Sequence, residues 1–340
     1  MPTLGNTYVD LIDLHSASPE GAVIELLKQE NPILQDATAM ECNKGAEHLH
    51  TIRTGLPEVV WGTLYKGIPQ SKSTTQQVKD TTGFLEGLSS IDERLLNNYA
   101  GEPEKAKLMR MNEAMGFIEA MNQKMASAIF YESTDSNALG FKGLSHRFKV
   151  IGGGGSGRQV VDGGGTGNDN TSIWFVTWGD RFTHMLYPKG TRAGLQRDDM
   201  GRQRVLDDNG HPYYVLEEKF TWFGGIACKD YRYNVRVANI DVSQMKAGNV
   251  DLYALLRQGY YRLQNRKVNR GNAMEGRVAI YCNRNVLEAL DALAHNAGAD
   301  DSFVRLTPKE IEGQEVLTYR GIPIRETDAL LNTEERVLSA

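Results

Sequence analysis

The 340-residue chain has only three cysteines and ten prolines, and no apolar run approaches the ~18 residues of a membrane span. Each scarcity excludes something. Cys42, Cys228 and Cys282 are odd in number, far apart and in no C-x-x-C or Cys/His spacing, so neither a disulfide framework nor a zinc finger is indicated. The stretch Met1 to Asp10 has neither a basic start nor a hydrophobic segment, and the reading is a protein made and kept inside a cell. Positive charge is not in excess: 38 Lys and Arg face 43 Asp and Glu, a net charge of −5 without any basic block. Nucleic acid is therefore not expected to be gripped directly. The chain is 40% apolar and 24% charged, ordinary for a globular protein and unlike a disordered one. Its length allows two or three domain-sized units.

Glycine is the abundant residue, 35 in all, with a concentration around Gly152 to Gly167. A P-loop needs Lys-Ser or Lys-Thr after its glycines, and Gly157-Arg158-Gln159 supplies neither. A dinucleotide fingerprint needs a helix next, but another glycine run, Gly163-Gly164-Gly165, follows. The expectation is a flexible surface loop. His48 and His50, two apart on one strand face, are two ligands with no recognisable third, so a solvated or interface strand is expected rather than a metal site. Ser145-His146 lacks a nucleophile-elbow context, and Asp198-Asp199 and Asp207-Asp208 read as flanks of turns at Gly201 and Asn209-Gly210. No catalytic, cofactor or metal constellation is recognisable, and the expectation is a protein that is not an enzyme.

Periodicity organises the rest as an α+β chain without βαβ alternation or repeats. Ser18-Pro19-Glu20 opens a short helix through Val23, Ile24, Leu26 and Leu27, stopping before Asn31-Pro32. Glu47 to Thr54 and Thr74 to Thr81 read as strands with polar residues on both faces, a ribbon with no core of its own. Between them lie Val59, Val60, Trp61, Leu64, Tyr65 and Ile68, apolar anchors on what looks like an arm. From Glu102-Pro103 to about Tyr131 the apolar residues Leu108, Met111, Met115, Ile118, Met121, Met125 and Ile129 recur at three and four, predicting a helix of about 45 Å. Its methionines suit core packing, with an adaptable partner-binding stripe as the alternative. Strands are expected at Ile173 to Trp178, Phe182 to Tyr187, Tyr214 to Phe223 and Ile226 to Ile240. In the last of these Tyr231, Tyr233, Val235 and Val237 alternate with Arg232, Asn234 and Arg236, apolar side in and polar side out. Helices follow at Asp251 to Asn265 and Arg284 to Asn296, with strands at Val278 to Tyr281, Val316 to Tyr319 and Ile322 to Arg325.

Ribbon, long helix and mixed α/β region come in the order found in one known family. Individual segments carry the likeness: Gly67-Ile68-Pro69-Gln70-Ser71-Lys72-Ser73-Thr74-Thr75-Gln76-Gln77-Val78, Gly140-Phe141-Lys142-Gly143-Leu144 with Arg147-Phe148, and Ser172-Ile173-Trp174-Phe175-Val176-Thr177-Trp178-Gly179. Tyr187-Pro188-Lys189-Gly190, Ala193-Gly194-Leu195, Asp230-Tyr231-Arg232-Tyr233, Val237-Ala238-Asn239-Ile240 and Tyr319-Arg320-Gly321-Ile322-Pro323-Ile324-Arg325 continue it. The chain resembles tailed-bacteriophage major capsid proteins of the Hong Kong 97-like fold, in the branch with a short N-terminal arm and no built-in scaffold domain.

The resemblance implies an N-arm (1–40), an extended E-loop (41–90), a spine helix opening the P-domain (91–150), an A-domain with interleaved P-domain strands (151–310) and returning P-domain strands (311–340). It makes Val59, Val60, Trp61, Leu64, Tyr65, Ile68 and Lys72 a subunit interface, and Met111, Met115, Ile118 and Met125 part of the spine. It further implies hexamers and pentamers of the chain itself closing into an icosahedral shell assembled in the host cytoplasm. The other partners are a separately encoded scaffolding protein, a portal protein, a decoration protein in some shells, and double-stranded DNA enclosed but not specifically bound. No membrane partner is implied. An acidic container suits that role, because it repels the phosphate it must hold. The alternatives are another self-assembling tail or fibre protein, which microscopy would distinguish from closed shells, and an enzyme using the glycine loop, which nucleotide-induced stabilisation would reveal.

Overall fold

The computed structural model describes residues 28–97, 103–264, 276–296, 306–311 and 314–340. The expected helix at Ser18 to Leu27 lies outside the described residues. In chain order, a short helix α1 (Ile33–Asp36) and strand β1 (Ala39–Glu41) lead to the ribbon strands β2 (Glu47–Gly55) and β3 (Thr74–Asp92). Helix α2 (Glu93–Asn97), the long helix α3 (Pro103–Tyr131), the short helix α4 (Leu144–Arg147) and strands β4 (Val150–Ile151) and β5 (Val160–Asp162) follow. Next come β6 (Asn170–Trp178), β7 (Thr183–Tyr187), β8 (Leu195–Leu206), β9 (Pro212–Cys228) and β10 (Val235–Asp241). The remainder is α5 (Val242–Lys246), α6 (Leu252–Arg262), β11 (Arg277–Cys282), α7 (Arg284–Asn296), β12 (Thr307–Ile311), β13 (Gln314–Tyr319), β14 (Ile322–Glu326) and β15 (Leu338–Ser339).

Strand β6 organises the molecule. Every one of its residues is buried, and the apolar run Ile173 to Val176 within it is the mark of a strand covered on both faces. Side-chain alternation sends Trp174, Val176 and Trp178 into one core with Met125, Ile129 and Phe130 of α3, and Ile173 and Phe175 into a second core with Leu252 and Leu256 of α6 and Val286 and Leu290 of α7. Its antiparallel partners β10 and β11 divide their side chains in the same way, so one sheet separates two cores. Asp251 caps α6, its carboxylate accepting the Ala254 amide at 2.9 Å.

Helix α3 lies across β3 and β9. Phe117 stacks on Phe220 at 5.5 Å between ring centroids, and Phe117 and Met125 press onto the glycines Gly87 and Gly224, where a β-carbon would collide. Strand β3 changes partner midway: Thr74 to Thr81 pair with β2 in the ribbon, and Thr82 to Asp92 pair with β9 in the body.

Four expectations are corrected. The strand expected at Ile226 to Ile240 is broken after Cys228 by a 3₁₀ turn at Tyr231–Tyr233, because the Asp230 carboxylate accepts the Arg232 amide at 3.0 Å and closes the turn. In the part that is a strand, Arg236 does not face water but is buried. Asp198 and Asp199 flank no loop: Gly201, in the left-handed region at φ 69°, is the irregular point within β8, and β8 and β9 form a long hairpin. The glycine stretch is not a flexible loop either. It forms a 3₁₀ turn at Gly155–Gln159, then β5, and a β-carbon at Gly157 would lie 2.0 Å from the Gly152 carbonyl oxygen. The Gly163 and Gly165 amides donate to the Ala238 and Asn239 carbonyls at 2.7 and 2.8 Å, so the glycines allow backbone to pass against backbone.

A buried polar hub fixes the end of the chain to the body. Arg236 on β10 donates to Glu334 at 2.9 Å, to the Ser172 hydroxyl at 3.1 Å and to the Phe148 carbonyl at 3.1 Å. Glu334 also accepts the hydroxyls of Ser172 and of Tyr131, the last residue of α3. Burial, with the Glu334 carboxylate beside it, raises the Tyr131 hydroxyl well above its ordinary value, so it stays a donor.

Candidate assembly surface

The ribbon projects from this body. Strands β2 and β3 are in register from Glu47 opposite Thr81 to Gly55 opposite Thr74, with Lys79 paired to Glu47. Residues 56–73 form the tip. There the Ser71 hydroxyl donates to the Glu58 carbonyl at 2.6 Å, and the Lys66 amide donates to Thr63 at 3.3 Å. Tyr65 sits in the left-handed region at φ 63°, a strained conformation for an aromatic residue.

All seven residues singled out in this segment, Val59, Val60, Trp61, Leu64, Tyr65, Ile68 and Lys72, are exposed. Trp61 is 98% exposed. The six apolar side chains Val59, Val60, Trp61, Leu64, Tyr65 and Ile68 are thus all exposed on this tip.

The methionines of α3 divide. Met125 is buried, and Ile118 is half-buried against the cluster of Ala114, Met121 and Phe220. Met111 and Met115 are each 53% exposed, which corrects the expectation of one continuous core stripe. In the first half of the helix it is Met109 and Ala114 that face inward. On that half of the helix Arg110 reaches β8 and β9 through ion pairs to Asp199 at 2.9 Å and Glu218 at 2.5 Å.

Sequence reasoning missed what anchors the ribbon. Asp80 on β3 is buried and pairs with Arg147 of α4 at 2.8 Å, and Arg147 also donates to the Ile226 carbonyl at 2.8 Å. The pair joins ribbon, α4 and β9. His48 is buried beside it and His50 nearly so, against the strand's own subunit, which corrects their reading as a solvated or interface strand. The hint available was the position of Arg147 in a recognisable motif, but nothing local assigned Asp80 to it. Among the described residues no group of three His, Cys, Asp or Glu side chains converges as a metal site, and Cys42, Cys228 and Cys282 are free thiols.

Comparison with known proteins bears on this geometry. The model of the major capsid protein GP7 family matches residues 16–338. A chain of the bacteriophage Epsilon15 structure is 29% identical, each chain covered over 100% of its length, with a TM-score of 0.71. The capsid of bacteriophage JBD30 is 10% identical over 93% of this chain and 98% of that one, TM-score 0.46. The SrpI encapsulin of Synechococcus elongatus PCC 7942 is 11% identical over 71% and 98%, TM-score 0.45. No curated protein sequence matches significantly. The fold is the Hong Kong 97-like α+β fold, and the chain belongs to the GP7 family of phage major capsid proteins, structural proteins of the virion capsid that assemble into a multimeric shell.

Proposed function

We propose that the chain forms hexamers and pentamers which close into an icosahedral shell around double-stranded DNA, and that the ribbon tip is the clasp between neighbouring subunits. The observation that carries this reading is the cluster of exposed apolar residues from Val59 to Ile68, held away from the body by a paired ribbon. A tip of this composition gains from burial on a second copy what it cannot gain on its own subunit, whose cores are already closed. The two-core body supports a division into an A-domain built on α5, α6 and α7 and a P-domain built on α3, with residues 41–90 as E-loop and 1–40 as N-arm. In this division only residues 47–81 project, because Thr82 to Asp92 belong to the body sheet.

The same reading makes the protein a non-enzyme, assembled in the host cytoplasm with a separate scaffolding protein, a portal and, in some shells, a decoration protein. Its acidic balance suits a container for DNA. The test is sedimentation and electron microscopy of the purified protein with scaffolding protein supplied. Closed megadalton shells are expected; a monomer under every condition overturns the proposal, and straight tubes overturn the closure.

A further inference from the structure

Three histidines meet at the root of the ribbon. His48 on β2 lies edge-on to His184 on β7 at 5.6 Å between ring centroids, and 6.3 Å from His50. His184 is fully buried. Neither nitrogen of His50, nor Nδ1 of His48, has a hydrogen-bond partner, and His184 has only the Gly179 backbone beside its ring. A buried ring with no close acceptor for a second proton is held most cheaply as a neutral imidazole.

The charges around them are already committed. Asp80 is the carboxylate within the cluster, and Arg147 holds it at 2.8 Å, leaving its other oxygen 3.7 Å from His50. Lys229, just beyond β9, adds a second cation and donates to the Asp180 carbonyl at 2.7 Å. Cys42 and Cys228 face the cluster as neutral thiols, kept so by burial. Glu41 lies farther out, its carboxylate accepting the Gly190 amide at 2.7 Å. One proton on any of the rings therefore makes a third buried cation beside one carboxylate.

We propose that this cluster is an acid-released latch: protonation of His48, His50 and His184 detaches the root of the ribbon from the body. The pivot is the step from Thr81 to Thr82, where β3 leaves β2 and joins β9. Swinging out at that point carries His48 and His50 into water and opens a path to His184, without breaking the body sheet.

The sign follows from the three groups. Burial first, then Lys229, lowers all three histidines from 6.5, although Asp80 pulls His48 and His50 the other way; the neighbouring rings add to the lowering of His48 and His184, and Arg147 to that of His50, and His184 falls to about 3. The released state binds protons below about pH 6.5 that the latched state refuses, so latching is fully present above that pH and weakens as the pH falls toward 3. His184 alone shifts the equilibrium about 30-fold at about pH 5.

The latch is a property of the subunit and does not depend on what the tip binds. The test is hydrogen exchange of the purified full-length protein at about pH 7.5 and pH 5.0, corrected for intrinsic rates and read on residues 47–55 and 74–81, with β6 as internal reference. Protection of the ribbon root should fall about 30-fold or more at the lower pH while β6 is unchanged. His48→Gln, His50→Gln and His184→Gln together should remove the pH response, and His146→Gln should leave it. Should the triple variant not fold, His184→Gln alone must reduce the response. Equal root protection at both pH values, a response undiminished in the triple variant or in His184→Gln, or loss of β6 protection in parallel overturns the latch.

Discussion

Arg236 and Glu334, 98 positions apart, form an ion pair of 2.9 Å in which the side chains are only 5% and 4% exposed. A surface pair of this kind is worth little, but a buried one is costly to break from one side, because the remaining charge stays in a medium that solvates it poorly. Tyr131, Ser172 and the Phe148 carbonyl complete the arrangement. One ion pair thus ties α3, β6, β10 and the segment near the end of the chain.

Removing one partner should therefore be severe. Glu334→Ala or Arg236→Ala is expected to destabilise the unassembled subunit by about 3–5 kcal/mol in denaturant unfolding. A loss below about 1 kcal/mol would show that the site is wetter than the geometry implies.

The tip residues should behave in the opposite way. Trp61 and Tyr65 are exposed in the subunit, so the double alanine variant should keep its circular dichroism and melting temperature. Assembly should be abolished or misdirected, each lost aromatic anchor weakening a contact by about 2 kcal/mol or more, repeated at every copy. Normal shells from the double variant, or an unfolded subunit, would mean the tip is no clasp.

The glycine stretch offers a paired comparison. Gly157→Ala places a β-carbon 2.0 Å from the Gly152 carbonyl oxygen and should cost about 1–3 kcal/mol. Gly154, at φ −117° with nothing within 4 Å of its added β-carbon, should tolerate alanine and gain up to about 1 kcal/mol through the unfolded chain. Equal effects at the two positions would return the stretch to a mobile loop.

The cysteines should be inert. Burial raises the Cys42 thiol to about 11 and the Cys282 thiol to about 12, far from thiolate at neutral pH. Reductant should leave the melting temperature unchanged, and alkylation at pH 7 should proceed only on unfolding. Dimers on non-reducing gels would contradict this.

What the sequence determined by itself is what repeats along the chain. The three- and four-residue spacing of apolar residues marked α3, the unbroken apolar run marked β6 as a strand, and polar residues on both faces marked a ribbon without its own core, with Trp61 and Tyr65 at its tip. These signals are local, because a helix or strand imposes its period on neighbouring residues. The tertiary structure decided the rest. Arg236 looks like the polar side of a strand until Glu334 arrives from 98 residues away. His48 and His50 look solvated until His184 and Arg147 close over them, and Met111 and Met115 look like core until Met109 and Ala114 turn out to be the residues that face the body. The glycines look like a flexible surface loop until Asn239 and Ala238 pass against them. In each case the deciding partner is distant in sequence, and burial depends on which elements meet, not on the period of any one of them.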